Sequence, residues 1–223
     1  MTPRKTIWTK RALLAATWVI AIVTLTKFTI GMWDRYHADE RIEIRGKEEL
    51  TIVGREHKAR YEFAKPYCAG KTVADIASGT GYGIEILRTV AKSVEGYDRE
   101  SLGQKFIIDL EKEAWSEHYD VIVSFETIEH LANPEFFLGN VQKTAKMLLL
   151  STPLNERKGW AANPYHKQVW TDESIKELLE KFFRCQYYYQ YDTRIEKDLP
   201  ENMRRLLLAV CTSPVNSADA RLN

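Results

Sequence analysis

The stretch TVADIASGTGYG, residues 72–83, joins a short apolar strand to the start of a helix through a glycine-rich turn. Asp75 lies within the strand, and Gly79, Gly81 and Gly83 alternate with other residues after it. Because glycine has no Cβ, a turn of this composition lets the backbone approach a bound nucleotide closely. A strand, a glycine turn and a helix in this order predict a nucleotide-type site at the carboxyl end of the strand.

The next strand ends in EGYD, residues 95–98, and supplies an acidic side chain at the same edge of the predicted sheet. The carboxylate of Asp98 can accept hydrogen bonds from both hydroxyls of a ribose. The dinucleotide fingerprint is G-x-G-x-x-G, whereas residues 79–83 are spaced G-x-G-x-G. The pattern favours S-adenosylmethionine over a dinucleotide, because S-adenosylmethionine has no pyrophosphate to seat at a helix N-terminus.

Short apolar runs alternate with helical stretches from Gly54 onwards, which is the pattern of an α/β protein. We predict a Rossmann-like, doubly wound, mostly parallel seven-stranded sheet. The last two strands follow each other without a helix, so they should form an antiparallel edge. The predicted strands are 72–77, 93–97, 105–108, 120–125, 146–151, 185–191 and 205–212, and the predicted helices are 55–68, 82–92, 134–143 and 172–183.

Residues 12–33, ALLAATWVIAIVTLTKFTIGMW, form an apolar segment with a single charge at Lys27. Roughly 20 apolar residues span a bilayer as a helix, and tryptophans at the ends favour the interface. We expect an N-terminal apolar helix that anchors the protein to a membrane, by spanning it or lying in its interface; a helix packed on the domain is the alternative. The predicted organisation is an anchor at 1–33, a connector at 34–54, the α/β domain at 55–213 and a flexible tail at 214–223.

Basic residues lie on both sides of this segment, so the distribution of charge does not favour one membrane orientation strongly. The four basic residues between positions 4 and 11 favour a cytoplasmic N-terminus, which would place the domain outside. Four more basic residues between positions 35 and 47 dilute that bias. Because S-adenosylmethionine is a cytosolic cosubstrate, we expect a membrane-associated protein whose domain lies on the cytoplasmic side.

The 223 residues carry a net charge of +1, but the charge is unevenly distributed. Residues 1–33 hold five basic residues and no acidic one, so residues 34–223 carry −4. An acidic domain without a basic stripe binds a phosphate backbone poorly, which argues against a nucleic-acid partner. Cys68, Cys185 and Cys211 are odd in number and far apart, which predicts buried thiols rather than a disulfide.

Several segments resemble, in order, the motifs of class I S-adenosylmethionine-dependent methyltransferases: TVADIASGTGYG, GYD, FIIDLE, YDVIVSFETIEHL and LLLSTP. The resemblance covers residues 55–212 and is of type 11/12, like the ubiquinone-biosynthesis and sugar O-methyltransferases. It implies that the glycine turn lines the methionine moiety, that Asp98 holds the ribose and that Asp109 faces the adenine. The cofactor contacts implied in this way are Asp75, Ala77, Gly79, Gly81, Asp98, Asp109, Leu110 and Phe125.

A cluster of acids and histidine follows the fourth strand in SFETIEHL, residues 124–131. If this segment turns helically, Glu126, Glu129 and His130 share one face, and His166 in NPYHKQVW could complete the set. Carboxylates and imidazoles suit Mg²⁺ or Mn²⁺. The arrangement resembles that of the ubiquinone-biosynthesis O-methyltransferases and of enzymes that methylate the 2′-hydroxyl at small-RNA 3′ ends. That resemblance implies an ion that chelates adjacent oxygens of a diol or catechol.

The sequence leaves three roles open for this cluster: a metal site, a metal-free lining of the acceptor pocket, or a structural cap. A hydroxyl is a poor nucleophile at neutral pH, so a base that takes its proton is needed. The candidate catalytic residues are His130, His166 and Glu126, and the candidate metal ligands are Glu126, Glu129, His130 and His166. The segment from Asn155 to Trp170 is expected to form a lid over the acceptor pocket.

The sequence as a whole predicts an S-adenosylmethionine-dependent methyltransferase that methylates a small-molecule, saccharide or lipid-linked hydroxyl. An enzyme anchored through residues 12–33 would meet a lipid-like acceptor at a membrane. One alternative is an RNA ribose 2′-O-methyltransferase that uses a divalent metal. The other is a membrane protein that binds S-adenosylmethionine without turnover.

Overall fold

The computed structural model describes residues 52–99, 106–156 and 163–213, which contain four α-helices and eight strands. The helices are α1 (Ile52–Cys68), α2 (Tyr82–Arg88), α3 (Pro134–Thr144) and α4 (Asp172–Glu180), with single 3₁₀ turns at Ile128–His130 and Glu201–Met203. The strands are β1 (Thr72–Ile76), β2 (Ser93–Asp98), β3 (Phe106–Ile107), β4 (Tyr119–Phe125), β5 (Ala145–Pro153), β6 (Arg184–Tyr191), β7 (Arg194–Glu196) and β8 (Leu206–Thr212).

All eight strands form one sheet in the order β3-β2-β1-β4-β5-β8-β6-β7. The strands from β3 to β5 pair in parallel, and β8 pairs antiparallel with both β5 and β6. The Rossmann-like, mostly parallel sheet with an antiparallel edge is therefore confirmed. The strand order reverses direction between β1 and β4, and α/β proteins bind ligands at the carboxyl ends of strands at such a point.

The sheet has eight strands, so the predicted count of seven is wrong. The additional strand is β7, which pairs with β6 through a hairpin that aligns Tyr191 with Arg194. Asp192 in the two-residue loop has a φ of 52°, the left-handed conformation that such tight hairpins require. A strand of three residues is too short to show an alternating pattern in the sequence.

The same antiparallel edge overturns the expectation that every cysteine is a thiol. Cys185 in β6 and Cys211 in β8 are register partners, and their sulfur atoms form a disulfide. Their separation of 26 residues gave no sign of this pairing, because the register of the two strands brings them together. Cys68 at the end of α1 is a buried free thiol, as predicted.

The central strands of the sheet are buried on both faces, as expected of a doubly wound fold. Along β4, Val121 and Val123 pack into a cluster with α1 and α2, whereas Ile122 packs into the cluster that contains α3 and α4. The central strands are therefore held from both sides, and their carboxyl ends are fixed relative to one another.

No helix in the described ranges is both long and apolar enough to cross a bilayer. The predicted anchor at residues 12–33 and the predicted tail at 214–223 lie outside the described residues, and so does most of the connector. The anchor, the topology and the domain boundaries stay predictions.

Candidate active site

The glycine turn follows β1 and takes a left-handed backbone at alternate positions. The φ angles are 60° at Ala77, 55° at Gly79 and 82° at Gly81. A Cβ built on Gly79 would have no heavy atom within 4 Å, so the space beside this backbone is open. Ala77 holds the left-handed conformation with a side chain, which costs roughly 1–2 kcal/mol for an L-residue. A strained turn beside open space fits a backbone that approaches a ligand.

Asp98 ends β2 next to this turn. The backbone N–H of Gly79 donates to Asp98 Oδ2 at 2.9 Å, and the Asp98 side chain is buried. The N–H of Ile108 donates to the Asp98 carbonyl at 2.8 Å, which brings the segment after β3 against the same strand end. The structure thus places the predicted methionine and ribose contacts side by side.

Asp109 and Leu110 follow directly, at the predicted adenine side. The Asp109 carboxylate accepts hydrogen bonds from Lys112 Nζ at 2.8 Å and from the N–H of Glu111 at 3.1 Å. These hydrogen bonds hold the pKa of Asp109 below its ordinary value, and the bond from Lys112 has the larger effect. Leu110 packs, partly buried, against the core. Contact of this pair with an adenine stays a prediction.

Helix α1 contributes a contact that the sequence did not reveal as functional. Tyr61 donates its hydroxyl to the carboxylate of Asp75, with distances of 3.2 Å to Oδ1 and 3.1 Å to Oδ2. Burial raises the pKa of Asp75 to about 7, although the Tyr61 hydrogen bond opposes the shift. A Cβ at Gly83 would lie 2.0 Å from Tyr61 Cζ, so the glycine allows α1 to pack closely on α2. Only the inward face of Tyr61 could be inferred from helical spacing.

An aromatic cluster surrounds this contact at the carboxyl ends of β1 and β4. The Tyr61 ring lies 5.1 Å from the ring of Phe125 and 5.5 Å from that of Tyr82. His57 joins the cluster through a hydrogen bond between its Nδ1 and the Tyr82 hydroxyl. Burial, and then the charge of Arg60, lowers the pKa of His57 well below its ordinary value, so this imidazole is neutral.

Glu126 follows β4 with a φ of 54° and is held from two sides. Ser151 Oγ donates to Glu126 Oε1 at 3.3 Å, and Arg60 Nη2 lies 4.0 Å from the same oxygen. Arg60 is itself buried, and its Nη1 donates to Gln190 Oε1 at 2.9 Å. The carboxylate therefore lies between α1 and β5, in a position that the sequence did not predict.

A cluster of three side chains lies close to Glu126 and consists of Glu129, His130 and His166. One ligand atom from each of the three lies within 4.8 Å of those of the others. Glu129 Oε2 accepts a hydrogen bond from Thr152 Oγ1 at 3.0 Å, whereas the buried Oε1 has no hydrogen-bond partner among the described residues. Burial, and then the charge of Glu126, raises the pKa of Glu129 well above its ordinary value. A buried carboxyl with one oxygen unpartnered among the described residues, close to two imidazoles, is a donor set of the kind that binds a cation.

The expected helical face is wrong in one respect. The 3₁₀ turn begins at Ile128, so Glu129 and His130 lie in it, whereas Glu126 precedes it in a left-handed conformation. Glu126 is consequently outside the three-residue cluster, and it affects that cluster through its charge. A residue with positive φ cannot be recognised from the i, i+3, i+4 spacing alone.

The segment that carries His166 crosses the 3₁₀ turn. The N–H groups of Lys167 and Gln168 donate to the Glu129 carbonyl at 2.8 and 2.9 Å. Lys167 Nζ also forms an ion pair with Glu111 at 2.9 Å. These contacts hold the described part of the predicted lid over the cluster; residues 157–162 lie outside the described ranges.

Comparisons with known proteins agree with this geometry. A family described as "Methyltransferase domain" matches residues 55–182. The chain belongs to the S-adenosylmethionine-dependent methyltransferases. A probable S-adenosylmethionine-dependent methyltransferase from Mycolicibacterium smegmatis is 27% identical, and the match covers 61% of this chain and 61% of that protein's length.

Solved structures of methyltransferases share the fold. A TehB-like methyltransferase from Corynebacterium glutamicum superposes with a TM-score of 0.56 at 16% identity, covering 70% of this chain and 88% of the other. The small RNA methyltransferase HEN1 superposes with a TM-score of 0.58 at 17% identity, covering 78% of this chain and 27% of the other. At such identities the likeness shows the fold alone.

The described residues of this methyltransferase fit S-adenosylmethionine. The cofactor's ribose hydroxyls require an acceptor, and Asp98 supplies one beside the open space at Gly79. Its methionine portion requires a turn of low bulk, and the backbone from Ala77 to Gly81 supplies it. When bound, S-adenosylmethionine supplies an electrophilic methyl group. The individual contacts of these residues with it stay predictions.

Proposed function

We propose that this methyltransferase O-methylates a hydroxyl of a small-molecule, saccharide or lipid-linked acceptor, with a divalent cation held by Glu129, His130 and His166. The observation that carries the proposal is the buried Glu129 carboxyl. Its Oε1 has no hydrogen-bond partner among the described residues, and one of its oxygens lies within 4.8 Å of a ring nitrogen of each imidazole. Such an arrangement suits an acceptor oxygen that needs activation, and oxygen is the atom that a hard cation activates.

The donor set supports a hard or borderline divalent cation. A carboxylate suits Mg²⁺ and Mn²⁺, and imidazole ligands favour Mn²⁺ of the two. A cation there would supply the positive charge that lowers the pKa of an acceptor hydroxyl. Glu126 belongs to the predicted ligand set, but Ser151 and Arg60 hold its carboxylate, so we assign it the role of proton acceptor.

The chemistry divides between orientation and proton removal. The acceptor oxygen contributes the electron pair of the new oxygen–carbon bond, and the sulfur leaves with the pair of the broken carbon–sulfur bond. The hydroxyl proton passes to a carboxylate, for which Glu126 is the candidate. If no cation binds, the imidazole of His130 or His166 is the alternative base. The protein's main contribution is to align the hydroxyl with the methyl group in a site that excludes water.

The acceptor class is inferred from charge and from the predicted anchor. Residues 34–223 carry −4, which disfavours a polyanionic acceptor. An anchor at residues 12–33 would bring the site to a membrane on its cytoplasmic side, where lipid-linked saccharides or quinone precursors are accessible. The second candidate is an RNA ribose 2′-hydroxyl, favoured by the fold shared with the small RNA methyltransferase HEN1.

Transfer of labelled methyl groups into total lipid, glycan and RNA fractions tests the proposal. We expect incorporation into the lipid or glycan fraction, stimulated by Mg²⁺ or Mn²⁺ and abolished by chelation. Glu129→Gln should remove metal stimulation, whereas Glu135→Gln, on an exposed glutamate paired with Lys181, should not. Preferential labelling of RNA would select the second candidate. Cofactor binding without transfer to any fraction would contradict both.

A further inference from the structure

His166 is held on both nitrogens by side chains that the proposed function does not use. Its Nδ1 contacts a carboxylate oxygen of Glu156, and its Nε2 lies 3.0 Å from Asn163 Nδ2. The Oδ1 of Asn163 accepts the N–H of Tyr165 at 3.0 Å, which fixes the amide so that its N–H group faces the imidazole. Nε2 is therefore the acceptor, and Nδ1 carries the proton that it donates to Glu156.

His130 has the same tautomer for a different reason. Its Nδ1 lies 3.2 Å from the carbonyl oxygen of Tyr165, which can only accept a hydrogen bond. The two rings meet edge to face with centroids 4.7 Å apart. Both histidines thus carry the proton on Nδ1, so Nε2 is the nitrogen with the lone pair in each ring.

We propose that Glu156 is a positioning residue that fixes the tautomer and the ring orientation of His166 for a divalent cation bound with Glu129 and His130. The inference rests on the proposed function. A histidine that binds a metal through one nitrogen usually donates a hydrogen bond from the other, and that partner orients the ring. An ion at Nε2 takes the lone pair that the Asn163 amide contacts in this structure.

The backbone around Glu156 is suited to this role. Glu156 comes three residues after the end of β5, and the preceding N–H, that of Asn155, donates to the Trp170 carbonyl at 2.8 Å. A bridge between Leu154 and Trp170 joins the same two segments. The carboxylate therefore approaches His166 from the sheet, whereas the histidine lies on the crossing segment. The contact between Glu156 and His166 therefore joins the chain after β5 to the segment that carries His166.

Binding of Mn²⁺ to the full chain, measured by the loss of the free-ion electron paramagnetic resonance signal, tests this role. Glu156→Ala should weaken Mn²⁺ binding about 10- to 100-fold, the usual effect of losing an outer partner of a metal-binding histidine. Glu156→Gln keeps a carbonyl that accepts the Nδ1 proton, so it should restore most of the affinity. Glu111→Ala is the matched control, because Glu111 holds the same segment through Lys167 without contacting either histidine.

The tautomer gives a second measurement that needs no metal. In the ¹⁵N-resolved NMR spectrum of the metal-free protein, His166 should be protonated on Nδ1, and Glu156→Ala should shift the proton towards Nε2. If the wild type does not bind Mn²⁺, the proposed metal site is wrong and the role of Glu156 falls with it. If the wild type binds Mn²⁺ and Glu156→Ala binds it equally well, only the role of Glu156 is wrong. Protonation of His166 on Nε2 in the wild type would overturn it too.

Discussion

The two halves of the site, the cofactor half after β1 and β2 and the acceptor half after β4 and β5, are built differently. In the cofactor half, the backbone N–H of Gly79 donates to the Asp98 carboxylate, and the two residues lie at the carboxyl ends of the adjacent strands β1 and β2. In the acceptor half, Glu129 and His166 come from segments far apart in the chain, and Glu129 Oε1 has no hydrogen-bond partner in the part of the chain that the structure describes. The predicted cofactor contacts thus depend on residues next to one another at two strand ends, whereas the predicted acceptor contacts depend on side chains from distant segments.

The largest change that this comparison predicts is a loss of affinity for S-adenosylmethionine when Asp98 is replaced. Asp98→Ala removes the acceptor for the Gly79 N–H and the predicted acceptor for the ribose hydroxyls. Hydrogen bonds to a charged group contribute about 1.5–3 kcal/mol, so S-adenosylmethionine should bind about 100-fold more weakly. Isothermal titration measures this, with Asp198→Ala, at an exposed position, as the control. The same variant should bind Mn²⁺ like the wild type; equal losses of both ligands would mean that the two halves are not separable.

The next effect concerns the packing of α1 on α2. Gly83→Ala places a Cβ 2.0 Å from Tyr61 Cζ, and overpacking of this kind typically costs about 1–3 kcal/mol of unfolding free energy. Denaturant unfolding measures the loss. Gly139→Ala in α3 is the matched control, because its nearest neighbour, Phe182 Cε1, is 3.9 Å away. Alanine in a helix is favoured over glycine, so the control should be neutral or stabilising. A Gly83→Ala protein as stable as the control would contradict the close contact.

A smaller effect is expected from the Tyr61 hydroxyl. Tyr61→Phe keeps the ring but removes the donor to Asp75, which should weaken S-adenosylmethionine binding about 5- to 10-fold, corresponding to about 1 kcal/mol for one hydrogen bond. Tyr67→Phe, on the same helix, removes a hydroxyl that contacts only Tyr188 among the described side chains. Titration calorimetry on both variants measures the difference. If both bind the cofactor like the wild type, α1 does not belong to the cofactor half.

The last prediction is a pH dependence of the free energy of unfolding, centred on Asp75. Its pKa is raised to about 7 in the folded protein, so between about pH 4 and 7 the folded state binds more protons than the unfolded state. The free energy of unfolding should therefore fall as the pH rises through this window. Asp75→Asn, which cannot ionise, should flatten the slope in denaturant titrations at several pH values. A slope of the opposite sign, or one that Asp75→Asn leaves unchanged, would contradict the burial of this carboxyl.

The position of the glycine turn beside Asp98 could be predicted from the sequence because the information for it is local. Parallel pairing of two neighbouring strands places the glycine turn after the first strand beside the acid at the end of the second. The same alternation of strands and helices predicts the Rossmann-like fold. The acceptor half could be predicted only as a set of residue types. Periodicity does not show that Glu126 has a left-handed backbone, and spacing does not show that Glu156 contacts His166.

The antiparallel edge was the least predictable part of the fold for the same reason. The register of β6 on β8 decides that Cys185 meets Cys211, and a two-residue loop creates β7. Both depend on pairing between strands rather than on the composition of either one.

The contact between Tyr61 and Asp75 also bears on how small a working version of this domain can be. A shortened chain that began at Thr72 would retain every strand and the whole glycine turn. It would nevertheless leave a buried carboxyl without its hydroxyl donor and expose the apolar face that α1 covers. We therefore expect the minimal folded unit to include α1, so fragments and fusions should join the chain before Ile52.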